Sequence, residues 1–102
     1  MTQKLFLENR DTLTLDPENR IAVRGGHRHA LTQQETALLT EMMKRSNAPV
    51  TRGELLCSAW GYIAPGTSRT VDVHVQHLRK KLGPGLIDTV YRTGYCLRAL
   101  AG

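Results

Sequence analysis

The chain has 102 residues, of which 40% are hydrophobic, which is enough to bury one small core and too little for a second domain. Its formal net charge is +5. Residues 51–102 contain seven of the 14 Lys and Arg residues but only three of the nine acidic residues. An excess of positive charge in one half favours a polyanionic partner such as nucleic acid.

The sequence lacks the signals of several other classes of protein. No apolar run approaches the roughly 20 residues of a transmembrane helix, and no secretory signal is present, so we expect a cytoplasmic protein without membrane contact. The spacing of Cys57 and Cys96 matches no metal-binding motif. We therefore expect reduced thiols, no bound metal and no other cofactor. No nucleophile–base motif, Walker loop or dinucleotide glycine fingerprint appears, so we expect no catalytic residue and no enzyme activity.

Short apolar alternations in residues 1–31 predict a small antiparallel sheet at the N-terminus. The alternating pairs are separated by turn residues and are Leu5 with Leu7, Leu13 with Leu15, and Ile21 with Val23. The segment from His29 to Leu31 is expected to add one more strand.

Residues 32–83 carry the signals of three helices. Thr32 and Glu35 have the spacing of a capping box that starts the first helix, which Asn47 and Pro49 end. The same box recurs at Thr51 to Glu54 and starts a second helix that stops near Gly61. Thr67 or Ser68 is then expected to cap the third.

The third predicted helix, Ser68 to Leu82, has two chemically different faces. A helix turns by about 100° per residue, which places Val71, Val75, Leu78 and Leu82 in one narrow apolar stripe. This stripe predicts the buried face of the helix. The opposite face carries Arg69, Val73, Gln76, His77 and Lys80. Val73 gains little from water there, but it can touch a thymine methyl group beside the hydrogen-bonding Gln76 and His77.

Residues 86–100 predict a terminal β-hairpin. Its two β-prone segments, Leu86 to Tyr91 and Tyr95 to Leu100, surround a turn at Arg92, Thr93 and Gly94. The order of sheet, three helices and hairpin describes an α+β winged helix-turn-helix in one domain, residues 1–102. In this fold the third helix fits a major groove, and the hairpin can reach the adjacent minor groove.

The chain resembles the C-terminal DNA-binding (effector) domain of OmpR/PhoB-type response regulators of two-component systems. The similarity extends over nearly the whole length through LTQQETALL, VTRGELLCSAW, SRTVDVHVQHLRKKLG and IDTVYRTGYCL. It implies a sequence-specific regulator of transcription that binds double-stranded DNA, usually as a head-to-tail pair on direct repeats. It also implies a contact with RNA polymerase through the loop before the third helix.

The resemblance assigns roles to individual positions. The positions that match base-reading residues are Thr70, Val73, Gln76 and His77. Those that match phosphate contacts are Arg52, Trp60, Arg69, His74, Arg79 and Lys80. Arg92 and Thr93 match the wing tip. The polymerase-facing loop corresponds to Tyr62, Ile63, Ala64, Pro65, Gly66 and Thr67.

Two departures from the family's pattern concern the target sequence. Gln76 and His77 stand where many relatives carry arginines, so the DNA sequence read by those relatives does not transfer to this chain. The wing arginine, Arg92, is displaced by one position, and on a strand such a shift reverses the side-chain face. Arg92 is then expected to reach the minor groove only if the hairpin tip rearranges.

Other interpretations remain open. The same basic face would suit a winged-helix protein-interaction module that docks an acidic protein partner without binding DNA. His74 and His77 are three residues apart but lack a third metal ligand at an obvious spacing, which argues against zinc. Asp72 is expected to pair with Arg69 or a neighbouring arginine.

Overall fold

The structure is a computed structural model that describes residues 2–61 and 69–100. Two antiparallel sheets flank three helices. The N-terminal sheet has its strands in chain order: β1 (Gln3–Phe6), β2 (Thr12–Asp16), β3 (Ile21–Arg24) and β4 (His27–Ala30). The helices are α1 (Gln33–Lys44), α2 (Arg52–Trp60) and α3 (Arg69–Leu82). The second sheet has the order β5-β7-β6 and consists of β5 (Val50–Thr51), β6 (Ile87–Val90) and β7 (Gly94–Leu97).

The N-terminal sheet follows the predicted alternation in β2 but not in β3. Leu13 and Leu15 of β2 are fully buried, whereas the buried residue of β3 is Ala22, which lies between the predicted pair Ile21 and Val23. Ala22 pairs with Leu15 and therefore shares the buried face of β2.

The fourth strand begins at His27, two residues earlier than predicted. The reason is that Gly25 and Gly26 both have positive φ and close a two-residue hairpin turn between Arg24 and His27.

The termini of α1 and α2 follow the predicted signals in part: α1 ends at Lys44, three residues before Asn47, and the cap predicted for α3 lies outside the described residues. At α1, Thr32 N donates to Glu35 Oε1 over 2.8 Å, and Glu35 N donates to Thr32 Oγ1 over 3.1 Å, which completes the capping box. At α2 only half of the box forms. Thr51 Oγ1 accepts from Glu54 N, whereas the Glu54 carboxylate pairs with Arg45 at 3.0 Å. Gly61, with φ of 71°, ends α2.

The wing hairpin differs from its prediction in its turn, in an added strand and in its end, because β7 stops at Leu97 and not at Leu100. Gly94 is not a turn residue but the first residue of β7, opposite Val90, and the loop is Tyr91, Arg92 and Thr93 with Arg92 at φ of 59°. The short strand β5, which the sequence did not predict, pairs with β7 so closely that a Cβ on Gly94 would lie 2.2 Å from Val50 O. Glycine is needed there for a close backbone approach, not for the turn.

One apolar core joins the described elements, from Leu7 after β1 to Leu97 in β7. All four residues of the apolar stripe of α3 belong to it, as predicted from their spacing. Arg24 of β3 also holds the end of this helix, because its Nη1 donates to Leu82 O over 2.6 Å and to Pro84 O over 2.9 Å. Within residues 2–61 and 69–100, no helix combines the length and hydropathy needed to span a membrane.

Candidate nucleic-acid interface

Helix α3 exposes the side chains that the sequence assigned to base reading. Val71, Val75 and Leu78 are completely buried, whereas Val73 is 50% exposed between them in sequence. Gln76 and His77 are exposed, and Thr70 in the first turn is half-buried. An exposed valine on a charged helix has no packing role in the isolated chain. The outward face of α3 therefore combines one apolar contact with hydrogen-bonding groups, which is the chemistry that reads base edges in a major groove.

A cluster around Tyr95 connects α2, α3 and the wing. Asp72 Oδ1 accepts from Arg52 Nε over 2.7 Å and from the Tyr95 hydroxyl over 2.6 Å. The guanidinium groups of Arg52 and Arg79 both lie over the Tyr95 ring, at 5.0 and 5.5 Å from its centroid. Such contacts between a cation and an aromatic face are attractive. The cluster holds two cations at the edge of α3.

Arg79 also ties α3 to the wing. Its Nη2 donates to Ile87 O over 2.9 Å and to Thr89 Oγ1 over 2.8 Å, and Nε donates to Ile87 O over 3.2 Å. A guanidinium has five N–H donors, so this arrangement is compatible with a phosphate contact. Arg79 is therefore held in place by β6 before any partner binds.

The Tyr95 cluster favours the ionised form of Asp72. Burial raises the pKa of Asp72, but the hydrogen bonds from Tyr95 and Arg52, together with the charges of Arg52 and Arg69, lower it below its ordinary value. The pKa of Tyr95 is raised by burial and by its bond to Asp72. Arg69 acts on Asp72 through its charge, whereas the arginine that hydrogen-bonds Asp72 is Arg52, 20 residues earlier. Asp72 thus pairs with an arginine, as expected, but the partner comes from α2 and is neither Arg69 nor a neighbour of Asp72 in the sequence.

Trp60 and His74 pack against each other at the edge of the same surface. Their ring centroids are 5.1 Å apart, and the Trp60 indole N–H donates to Gln34 O of α1 over 3.2 Å. A phosphate contact by Trp60 would require this bond to be exchanged. His74 Nδ1 lies 2.8 Å from Thr70 O. Because a carbonyl only accepts, the proton of a neutral His74 is on Nδ1.

Glu35 is the buried charge closest to the outward face of α3. It is 1% exposed, and its Oε1 accepts from Lys81 Nζ over 2.6 Å in addition to Thr32 N. Its Oε2 lies 3.6 Å from His77 Nδ1. Burial raises the pKa of Glu35, but the hydrogen bonds from Lys81 and Thr32 lower it below the usual range, so the carboxylate is ionised at neutral pH.

The tip of the wing is exposed. Tyr91 is 81% exposed, and the Arg92 guanidinium lies 5.2 Å from its ring centroid. Thr93 N donates to Val90 O over 3.0 Å and closes the turn. Strand alternation does not decide the direction of Arg92, because this residue lies in the loop with positive φ and not on a strand.

Lys80 and Arg69 are exposed on α3. The polymerase-facing loop, Tyr62 to Thr67, and the helix-cap candidate Ser68 lie outside the described residues. Among residues 2–61 and 69–100, no group of three or more His, Cys, Asp or Glu side chains is arranged to hold a metal ion.

Comparison with known proteins identifies the class of domain. The family described as "Transcriptional regulatory protein, C terminal" matches residues 26–97. The chain belongs to this family. It is a winged-helix domain of the OmpR/PhoB type, a class of DNA-binding regulators of transcription.

Similar proteins include two curated regulators. The transcriptional regulatory protein CseB of Streptomyces avermitilis is 42% identical over 87 residues, which cover 85% of this chain and 37% of CseB. The DNA-binding regulator RpaA of Synechocystis is 38% identical over 94 residues, which cover 87% of this chain and 39% of RpaA. The winged-helix domain thus spans about two fifths of these relatives.

Solved structures agree with the winged-helix assignment. The DNA-binding domain of RstA from Klebsiella pneumoniae, solved in complex with the RstA box, is 35% identical with a TM-score of 0.74, and the match covers 84% of this chain and 90% of that one. The DNA-binding domain of CpxR from E. coli is 25% identical with a TM-score of 0.76, and the match covers 97% and 99% of the two chains.

Sequence reasoning missed the buried partners of this winged-helix surface. Tyr95 and Glu35 were read as part of the wing and of the α1 cap, but both also contact side chains of α3. Lys81 of α3 belongs to the same set, because its ammonium group donates to Glu35 and to Ala30 O. His77 and Lys81 are four residues apart on a helix, so one acidic side chain can contact both. The spacing does not say which acid this is, because Glu35 reaches them only through the packing of α1 on α3.

Proposed function

We propose that this winged-helix domain binds double-stranded DNA in a sequence-specific way, with α3 in the major groove and the wing near the minor groove. The observation that carries the proposal is the half-exposed Val73 beside Gln76 and His77 on a helix whose opposite face is fully buried. A thymine methyl group and base-edge hydrogen-bonding groups are the natural partners of such a set. Thr70, at the start of the same face, is the fourth proposed base contact.

Phosphate contacts are proposed for the cations at the edges of α3. Arg52 and Arg79 are already oriented by Asp72 and by the wing, which lowers the entropy lost when they bind. Exposed Arg69 and Lys80 add charge on the same helix, and His74 with Trp60 extends the surface toward α1. Arg92 and Thr93 at the exposed hairpin tip are proposed to contact the minor groove.

The finer features of the proposal rest on the family resemblance. They are a head-to-tail pair on direct repeats, a contact between the segment Tyr62 to Thr67 and RNA polymerase, and action in the cytoplasm. The RstA domain was solved with its DNA box, which supports duplex DNA as the partner. The excess of basic residues in the second half of the chain supports it as well.

Selection of bound duplexes from a random pool, followed by binding measurements with two variants, tests this proposal. We expect Val73→Ala to reduce discrimination at one A·T pair by roughly 1 kcal/mol, the order of one buried methyl group. Lys80→Ala should instead weaken binding to all duplexes about equally and reduce the slope of log affinity against log salt by about 1. Failure to enrich any duplex would contradict the proposal and favour the module that docks an acidic protein.

A further inference from the structure

His77 differs from the other proposed base contacts because a buried carboxylate faces one of its ring nitrogens. Glu35 Oε2 lies 3.6 Å from His77 Nδ1, and the His77 side chain is 53% exposed whereas that of Glu35 is 1% exposed. Two further charged or titratable groups at this site belong to α3. They are His74, whose ring centroid is 5.9 Å away, and Lys81, which binds the second oxygen of Glu35.

The position of the carboxylate is fixed independently of His77. Thr32 N and Lys81 Nζ both donate to Glu35 Oε1, so Oε2 remains directed at α3. An ionised carboxylate accepts hydrogen bonds and cannot donate them. A neutral His77 with its proton on Nδ1 is therefore favoured over one with a lone pair on Nδ1, which the Oε2 charge would repel.

The tautomer determines what the opposite nitrogen can recognise. In a neutral imidazole only one nitrogen carries a proton, so His77 Nε2 is an acceptor when Nδ1 is protonated. In the major groove an acceptor pairs with the amino group of adenine or cytosine, whereas guanine presents two acceptors, N7 and O6. Protonation of the imidazole converts Nε2 into a donor that suits guanine.

We propose that Glu35 is a specificity-determining residue that acts through the tautomer of His77. With the proton on Nδ1, His77 selects a base with an amino group, and with the proton on Nε2 it selects guanine at the same position. This inference rests on the proposed function, because it requires α3 to lie in a major groove.

The tautomer is measurable without DNA. In the free domain, ¹⁵N NMR of the imidazole at pH 7.5 should show His77 Nδ1 protonated and Nε2 unprotonated. Glu35→Gln is the matched variant, since its amide oxygen can still accept from Thr32 and Lys81 while its NH₂ group faces His77. We expect this variant to move the proton to Nε2. A proton on Nε2 in the unsubstituted domain would overturn the proposal.

Base preference is measured as an affinity ratio between duplexes that differ only at the pair read by His77. Glu35→Gln should shift the ratio about tenfold toward guanine at pH 7.5, because Nε2 then carries the proton. The ratio cancels effects of the substitution on overall binding, and in a His77→Ala background Glu35→Gln should leave it unchanged.

The outcomes separate the two proposals. A ratio that Glu35→Gln leaves unchanged, or one that it shifts equally in the His77→Ala background, would overturn the role of Glu35 while sequence-specific binding stands. If no duplex binds, both proposals fail. Circular dichroism reports whether Glu35→Gln folds, and if it does not, the ¹⁵N spectrum of the unsubstituted domain still decides the question.

Discussion

Tyr95 illustrates how single side chains position the recognition surface. It lies on β7 and is 3% exposed, yet its hydroxyl reaches Asp72 on α3 and its ring lies beneath Arg52 and Arg79. One buried residue of the wing sheet thereby orients two cations from two helices. The cations that bind phosphate most effectively are those whose conformation is fixed before binding.

Removal of the Tyr95 hydroxyl tests this arrangement. Tyr95→Phe keeps the ring and removes the donor to Asp72, so we expect it to lower the free energy of unfolding by about 1 kcal/mol. Urea denaturation measures the change. Tyr91→Phe is the matched control, because Tyr91 is 81% exposed and its substitution should be neutral. Equal stability of both variants would show that the bond to Asp72 contributes nothing.

Among the elements, the contact between β5 and β7 joins the start of α2 to the wing. Val50 pairs with Tyr95, and Thr51, the N-cap of α2, pairs with Gly94. The same short segment therefore starts a helix and closes a sheet. Its close approach to β7 leaves no room for a side chain at residue 94.

Two glycine substitutions should have opposite effects for this reason. Gly94→Ala places a methyl group 2.2 Å from Val50 O, and we expect it to destabilise the domain by more than about 2 kcal/mol. Gly53→Ala lies inside α2 with no heavy atom within 4 Å of its new Cβ and should stabilise by about 0.5–1 kcal/mol. Thermal unfolding of both variants checks the two signs. A tolerated Gly94→Ala would contradict the close approach of β5.

The elements also meet at the end of α3. The carbonyl groups of a helix C-terminus lack partners within the helix, and Arg24 from β3 donates to the Leu82 carbonyl there. The same guanidinium binds Asp11 at 2.9 Å. The N-terminal sheet therefore fixes the C-terminal end of α3. Tyr95 and Arg79 fix one side of α3 against the wing.

For the whole molecule, stability should fall in acid. The pKa values of Asp72 and Glu35 are lowered in the folded chain, so the unfolded chain binds protons first as pH falls. Their contributions are complete above the ordinary carboxyl range, near pH 4, and are lost as pH falls through the lowered values. Urea denaturation between pH 7 and pH 2.5 should show this decline.

Asp72→Asn separates one contribution from the rest. The variant should be less stable than the unsubstituted domain at pH 7, and the difference should shrink at low pH, where Asp72 is protonated in both states. A difference that is constant with pH would show that the charge of Asp72 does not stabilise the fold.

The sequence predicted most of the fold because its signals are local. The alternation of Leu13 and Leu15, the capping box at Thr32 and the stripe from Val71 to Leu82 each depend on residues that are near in the chain, and all three are confirmed. The predicted alternation of the third strand was wrong, because Ala22 and not Ile21 or Val23 is its buried residue. The predicted start of β4 was wrong by two residues. Gly25 and Gly26 form a two-residue turn before β4, and this role depends on their backbone angles. The strand β5 escaped prediction because two residues carry no periodicity.

The sequence by itself determined the winged-helix order, the buried stripe of α3 and the outward position of Val73, because a regular helix fixes the direction of each side chain. Only the tertiary structure decided which distant groups meet. Asp72 binds Arg52 and Tyr95, and Glu35 faces His77 and Lys81, across 20 to 46 residues of chain. Such contacts depend on how helices pack, and no local spacing encodes them.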